Sequence, residues 1–391
     1  MKVRVVRSIH EVEPETWDRL GPDAVFGHAW FRALEASRVV DCDPRHLVIE
    51  DGGRVRGVLP CFVQRGDPYQ TLMKRLAGPA ARWLPRQALV AYSPLAQRSE
   101  ILLEPQVSMT RAVRACREAM DQICAEEGIG ISGWLFVRSD DAPLGRALHD
   151  AGYLAGFLAP SARWNNAPFD SFDAYVERFK RVSRRRYKDV RYELNRFRRS
   201  GIELREDALS SLSDELLARM QDQHYARHNP GSRSPFDAVF FAALKRELGG
   251  RALVHTARSA GGEVLSYSIV LAAEKRWHMF LSGDRDPESA HQDKLHFNLN
   301  FYFPIQRAIE CAVSHLEYGL STYEAKLQRG CALAGVGFWV RAHTPLLRAA
   351  LPGWVRAVDQ WYRRKHRALP LDAWSADSRV TAQPDAWKIA S

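Results

Sequence analysis

The sequence predicts a mixed α/β protein of two domains followed by a short basic tail. At 391 residues the chain exceeds one ordinary domain. Hydrophobic residues make up 46% and charged residues 26%, which supports a packed core and argues against global disorder. Strand-like and helix-like apolar periods alternate along both halves, in a similar order each time.

Residues 2–7 alternate as a strand, and residues 14–20 and 27–37 read as helices around the turn Gly21-Pro22-Asp23. Residues 46–50 and 55–63 form a hairpin pattern about Asp51-Gly52-Gly53, because Asp-Gly permits a tight turn. Residues 66–100 are interrupted by Pro and Gly and read as irregular. Residues 107–127 have a helical period, with Val113, Cys116, Met120 and Ile123 on one face. A strand over 134–137, a helix over 144–151 and a strand over 153–158 close the first half.

The second half repeats the order in stretched form. It reads as a helix over 171–200, a strand over 202–205, and helices over 212–228 and 236–248. A hairpin over 251–258 and 263–273, a strand over 277–282 and a helix over 294–314 follow, then strands over 315–319 and 322–325. The tail carries a helix over 352–366 and an irregular end. The expected division is therefore 1–160, 161–345 and 346–391.

The net charge of +10 favours an anionic partner such as a nucleotide cofactor, RNA or an acidic membrane surface; a generally arginine-rich composition explains it equally well. Six cysteines without a C-x-x-C pair point away from a disulfide frame or a zinc site, and no metal is expected. The start M-K-V-R-V-V-R-S-I lacks a signal-peptide apolar run, and no stretch approaches the roughly 18 apolar residues of a membrane span. A cytoplasmic location without a transmembrane segment is expected.

Between Lys180 and Arg199 lie ten Lys or Arg residues against Asp189 and Glu193, while Phe179, Val182, Val190, Leu194 and Phe197 supply an apolar stripe. Like charges at this density repel unless an anion offsets them, so Arg184, Arg185 and Arg186 are candidates for phosphate contacts. A solvated helix face is the plainer alternative. Gly128, Gly130 and Gly133 spell G-x-G-x-x-G, yet a helix precedes them and a strand follows, the reverse of a dinucleotide site. They read as a helix cap and a turn. His224 and His228 share a helix face without nearby acidic ligands in sequence, which suits a surface or substrate-pocket role better than a metal.

The end of the 322–325 strand is the sharpest site candidate. Alternation places Tyr323 and Ala325 on one face, Glu324 and Lys326 on the other. A fixed cation such as Lys326 can stabilise negative charge that develops on a carbonyl oxygen. Glu324 then orients the lysine or accepts a proton from an amine. A structural ion pair with Arg329 or Arg307 fits the same residues.

The run L-H-F-N-L-N-F-Y-F-P-I-Q-R-A-I-E-C-A from Leu295, followed by E-Y-G-L-S-T-Y-E-A-K-L-Q-R-G ending at Gly330, resembles the C-terminal half of the acyltransferase domain in the FemAB-like peptidoglycan biosynthesis/recognition proteins. These belong to the GNAT acyltransferase superfamily. The run S-R-R-R-Y-K from Ser183 resembles the opening helix of the same domain, and F-G-H-A-W-F-R-A-L-E-A-S, D-P-R-H-L and G-V-L-P resemble the family's beginning. The resemblance is best over Phe169–Gly330 and leaves the last 45 residues uncovered.

The resemblance implies an α/β fold of tandem GNAT-like domains, with mixed central sheets flanked by helices and the acceptor side in the first. It implies an N-acyltransferase that moves an acyl group from an activated donor to a small-molecule amine, by direct attack without a covalent enzyme intermediate. The donor is acyl-CoA or an acyl-carrier-protein thioester; aminoacyl-tRNA is the alternative, since the family contains both kinds. Lys326 becomes the charge stabiliser, with Glu324 and Tyr323 beside it. Arg329, Gly330, Lys294, His296, Asn298, Arg184, Arg185 and Arg186 fall on the donor side, and Tyr225, His228, Tyr267, His278 and Tyr302 on the substrate side. The usual R/Q-x-x-G-x-G/A signature of CoA binding is missing, and Gly283-Asp284-Arg285-Asp286-Pro287 stands near that place. A non-catalytic binding or membrane-surface module, using the basic Trp-rich tail L-P-G-W-V-R-A-V-D-Q-W-Y-R-R-K-H-R, is the alternative of another class.

Overall fold

A computed structural model describes residues 1–21, 23–65, 87–286 and 294–370, with the His228 side chain excepted. Strand β1 (Lys2–Val6) leads to α1 (Pro14–Asp18) and α2 (His28–Ser37). After β2 (Cys42–Pro44) comes the hairpin β3 (His46–Asp51) and β4 (Arg54–Leu59), turned through Gly52 and Gly53 at φ of 60° and 76°. The single strand expected over 55–63 breaks at Pro60, which has no N–H to give a ladder. It resumes as β5 (Cys61–Arg65) in a different sheet. Strand β6 (Gln87–Ala91) lies in the stretch expected to be irregular; the rest of 66–86 lies outside the described residues.

Strand β7 (Leu102–Leu103) precedes α3 (Met109–Glu127), whose first turn is capped by the Ser108 side chain and whose end is Gly128 in the left-handed region. The glycine triplet is thus a helix cap, as its sequence order predicts. Strand β8 (Ile131–Arg138), α4 (Ala142–Asp150) and β9 (Leu154–Asn165) follow.

Two helices, α5 (Phe172–Val182) and α6 (Arg184–Arg198), replace the one expected over 171–200. Ser183 is extended between them, and its Oγ accepts the Arg186 N–H at 3.4 Å, so α6 has a capped N-terminus of its own. Next come β10 (Glu203–Ala208), α7 (Asp214–His228), α8 (Ala238–Leu248), β11 (Ala252–Arg258), β12 (Val264–Ala272) and β13 (Arg276–Asp284). Helix α9 covers 295–310 and contains a π-helical stretch, Asn298–Tyr302. Strand β14 (His315–Gly319) follows it.

The strand expected over 322–325 is instead a short helix, α10 (Tyr323–Gln328). Ser321 and Thr322 have φ of 64° and 48°, and two left-handed residues in succession turn the chain out of the strand direction. The helix ends in a Schellman motif: the Gly330 N–H donates to the Leu327 carbonyl and the Cys331 N–H to the Lys326 carbonyl, each at 3.1 Å. Gly330 needs φ of 84° for this, which favours the Arg-Gly order at a helix end. Strand β15 (Ala332–Ala342), which the sequence pattern did not reveal, and α11 (Pro345–Lys365) complete the described chain.

The chain packs as two compact units interleaved in sequence. The first unit takes residues up to Gly21, Val40–Ser161 and the segment from Leu333 through α11. It contains the antiparallel sheet β1-β3-β4-β7 and the strands β15-β8-β6-β5-β2. Its core gathers Leu47, Val113, Met120, Trp134, Leu144 and Trp339. Helix α11 buries Leu351, Val355, Val358 and Tyr362, and Asp359 accepts the Phe157 N–H at 2.8 Å. The tail helix is therefore docked in this unit, not appended as a segment beginning at 346.

The second unit takes residues 23–39 and Ala162–Ala332. Its strands run β10-β11-β12-β13-β14, with the end of β9 beside β14. Helix α2 belongs here, packed on α8, because its apolar face of Trp30, Phe31, Ala33 and Leu34 is buried in this unit. Division of the chain at 160 alone would have assigned α2 to the other unit.

Candidate active site

In the second unit β13 and β14 run parallel but pair only through Arg276–His278 and His315–Glu317. Beyond His278, β13 continues to Asp284 on β12 alone, and among the described residues no strand pairs its other edge there. Two strands that part in this way open a crevice at the carboxyl end of a sheet, the general place for ligands in open α/β folds. A bulge opposite Ile269 and Val270 leaves Phe280 as the extra residue of β13. The Phe280 ring packs edge-on against Trp30 at 5.4 Å.

A pocket of about 320 Å³ lies among α6, α9 and α10, with Ser183, Arg185, Arg186, Glu193, Tyr302, Glu324 and Arg329 in its wall. At its base Arg329, only 2% exposed, donates from Nη2 to both Glu193 oxygens at 2.7 and 2.8 Å. Its Nη1 donates to the Ala325 carbonyl at 2.8 Å, and the guanidinium lies 3.5 Å over the Phe297 ring centroid. Tyr302 donates to Glu193 Oε2, an oxygen that Arg329 also holds, and burial pushes its phenol pKa far up. Asn298 is buried beneath, its amide donating to the Lys294 carbonyl at 2.9 Å. Glu193 is thus the acid in the basic helix that turns inward, a role invisible in its sequence context.

Arg184, Arg185 and Arg186 occupy the first turn of α6, the first two exposed and the third half-buried. Among the described residues no carboxylate pairs with any of them. The helix dipole and free N–H groups of a first turn add to their positive potential. Arg185 and Arg186 reach the pocket wall; Arg184 does not.

Lys326 is 5% exposed and donates to the carbonyls of Tyr318, Gly319 and Leu320 at 2.7, 3.1 and 2.7 Å. Burial pushes its pKa down to about 8. With three N–H groups and three carbonyls, the ammonium has no donor left for an acyl oxygen. It ties the end of β14 to α10. Glu324 is exposed, accepts the Gln328 amide at 3.2 Å and borders both this pocket and a second one of about 370 Å³ with Tyr323. The helix therefore does not separate Tyr323 from Lys326 as strand alternation predicted.

Of the expected substrate-side residues with described side chains, Tyr302 alone lines this pocket. Tyr267 is buried and donates to the Leu217 carbonyl at 2.9 Å. The His278 Nε2 is 3.0 Å from Asp23, which also takes Arg276 at 2.9 Å. Tyr225 is half-buried on α7, and the His228 side chain lies outside the described residues. His296 stands in the first turn of α9, 3.3 Å from the Asn300 amide.

A second constellation, absent from the sequence expectations, forms at the carboxyl end of β13. Asp284 is 4% exposed; one oxygen is 2.8 Å from the His224 Nδ1 and the other accepts the Ser266 hydroxyl. Burial alone would raise its pKa, but the bonds from His224 and Ser266 outweigh it and hold the carboxyl below its ordinary value, with His296 adding a smaller pull in the same direction. Sequence reasoning noted Asp284 within a loop motif and His224 within a helical pair. Nothing in the sequence joins positions sixty residues apart.

The model of the FemAB-like family, described as peptidoglycan biosynthesis/recognition, matches residues 8–373. The chain belongs to the FemAB-like family. This FemAB-like protein is a transferase of the acyl-transfer type, built on a mixed α/β architecture. Its fold is similar to the crystal structure of FemX, with a TM-score of 0.62 at 12% identity, covering 89% of this chain and 99% of that one. It is also similar to the C-terminal domain of a putative lysylphosphatidylglycerol synthetase from Agrobacterium fabrum (TM-score 0.55, 12% identity, 91% and 97% covered). L-PGS from Bacillus licheniformis is a third (TM-score 0.54, 12% identity, 92% and 99% covered). At such identities the likeness concerns the fold. No curated protein sequence matches the chain significantly. Among the described residues no three metal-ligating side chains come together, and no helix is long and apolar enough to cross a membrane.

Proposed function

We propose that this FemAB-like protein forms an amide by transferring an acyl or aminoacyl group from a phosphate-bearing donor to an amine. The observation that carries this is the first turn of α6, where Arg185 and Arg186 border a pocket and have no carboxylate partner among the described residues. Guanidinium groups at a helix N-terminus supply both charge and directed N–H groups for phosphate. In this role the donor's carbonyl lies where β13 and β14 part, and the amine nitrogen attacks it directly. A C–N bond forms, and the C–S or C–O bond to the carrier breaks. Lys326 acts as a positioning group that holds α10, so that Glu324 and Tyr323 face the neighbouring pockets.

A specific observation favours aminoacyl-tRNA as the donor over acyl-CoA or a carrier-protein thioester. The 15 residues of α6 span about 22 Å at 1.5 Å per residue. Exposed Lys188, Arg191, Arg196 and Arg198 continue the charge well past the pocket. A nucleic-acid backbone matches that length; one pyrophosphate does not. The family description points to an amine on a peptidoglycan precursor as acceptor. The test is transfer to a precursor stem peptide bearing a free amine, offered with acetyl-CoA, a carrier-protein thioester or a charged tRNA, with product amide read by mass spectrometry. RNase-sensitive transfer from charged tRNA is expected. Transfer from acetyl-CoA that RNase leaves untouched would overturn the choice of donor, and transfer from none would overturn the function.

A further inference from the structure

We propose that His224, oriented by Asp284, is the general base that takes the proton from the attacking amine, a role that rests on the transferase function proposed above. The His224 Nδ1 lies 2.8 Å from an Asp284 oxygen, and the Ser266 hydroxyl donates to the other oxygen. Asp284 ends β13, Ser266 sits opposite it on β12, and His224 projects from α7, which packs on β13. All three therefore meet where β13 has already left β14. Asp284 is held in its ionised form and has no proton to give, so Nδ1 must carry the hydrogen of their bond. The lone pair then falls on Nε2, the tautomer a base requires. His224 keeps 22% of its side-chain surface while Asp284 keeps 6%, so the imidazole meets substrate and the carboxylate stays behind it. A base within reach, aligned by a third group, is the general pattern of acid–base sites.

The proton balance needs no further reactant. Attack of a neutral amine on the carbonyl carbon makes the C–N bond and leaves a cationic nitrogen in the tetrahedral intermediate. Nε2 of His224 removes that proton, and the imidazolium is stabilised by the adjacent Asp284 carboxylate. Collapse of the intermediate breaks the bond to the carrier, and the imidazolium returns its proton to the departing thiolate or alkoxide. His296 is a second titratable ring near Asp284, and its proximity favours the ionised carboxylate in the same direction as His224.

The test uses the full chain with whichever donor the wild type accepts. H224Q should lower kcat/KM by about a hundredfold or more, the usual scale of lost acid–base catalysis. D284N should lower it too, and the double variant should be no slower than H224Q, because the two act as one unit. Imidazole in solution should restore part of the rate of H224G, an effect a merely structural histidine would not show. Nitrogen NMR of the wild type should find Nδ1 protonated and Nε2 bare, and it decides the case if the variants fail to fold. A folded H224Q with wild-type kcat/KM, or an Nε2–H tautomer, overturns the proposal while leaving the transferase function standing. Wild-type protein that transfers to no amine from any donor overturns both.

Discussion

Two sets of arginines line one pocket and differ in every respect that decides what a charge does. Arg329 is buried, paired twice to Glu193, bonded to a carbonyl and stacked on Phe297. Arg185 and Arg186, on the wall of the same pocket, have no carboxylate partner among the described residues. A buried charge must be neutralised by its own protein, since desolvation costs several kcal/mol per ion. A charge left at the surface of a helix N-terminus is free to be neutralised by a ligand. Both sets are site candidates in the sequence; Arg329 belongs to the first kind, and the proposed donor contact rests on the second.

The sharpest break in this contrast comes from removing Arg329. R329A removes both guanidinium bonds from the half-buried Glu193 and leaves it the Tyr302 hydroxyl, and we expect a loss of about 3 kcal/mol of stability, the low end for a halved buried pair. Chemical denaturation of the variant should show it as a lower midpoint. A folded variant of wild-type stability would mean that Arg329 is poised for ligand instead.

Lys326 extends the comparison to a lysine. K326M removes a buried ammonium bonded to three carbonyls and strands them, so a loss of about 1–3 kcal/mol is expected at neutral pH. The pH dependence has a definite sign. Burial places the folded pKa near 8, below the ordinary value of 10.5, so between these values the unfolded chain binds more protons than the folded one. Stability contributed by Lys326 therefore rises as pH rises through this window. The denaturation difference between wild type and K326M should grow from about pH 7 to about pH 10, and a constant difference would show that the buried ammonium titrates normally.

The smallest effect on stability should come from the exposed set. Replacing the exposed Arg184 and Arg185 with Gln should change stability by less than about 0.5 kcal/mol, as for surface substitutions generally. Donor binding should weaken and lose part of its salt dependence, because phosphate contacts are screened by ions. Salt-independent binding of donor by the wild type would return this turn to the role of a solvated face.

Much of the fold was legible because apolar periodicity is a local signal. The helix over 107–127, the hairpin over 251–273 and the strand over 315–319 all stand close to their predicted places. So does the helix cap at Gly128, since helix-then-glycine is a local pattern. The misreading at 322–325 came from Ser321 and Thr322, whose left-handed backbone nothing in their side chains announces. The break at Ser183 was hidden for a related reason: the apolar stripe runs on through a serine that caps instead of continuing.

The α/β character, the family resemblance and the basic run that opens α6 could be read along the chain, because composition, periodicity and charge density are properties of neighbours in sequence. The tertiary fold settled which charges are available. Glu193 faces Arg329 across 136 residues, and Asp284 meets His224 across 60. It also decided that α2 packs with the second unit and α11 with the first. Each of these outcomes depends on which surfaces lose water together. That is set by the packing of distant segments and leaves no periodic trace in the residues that take part.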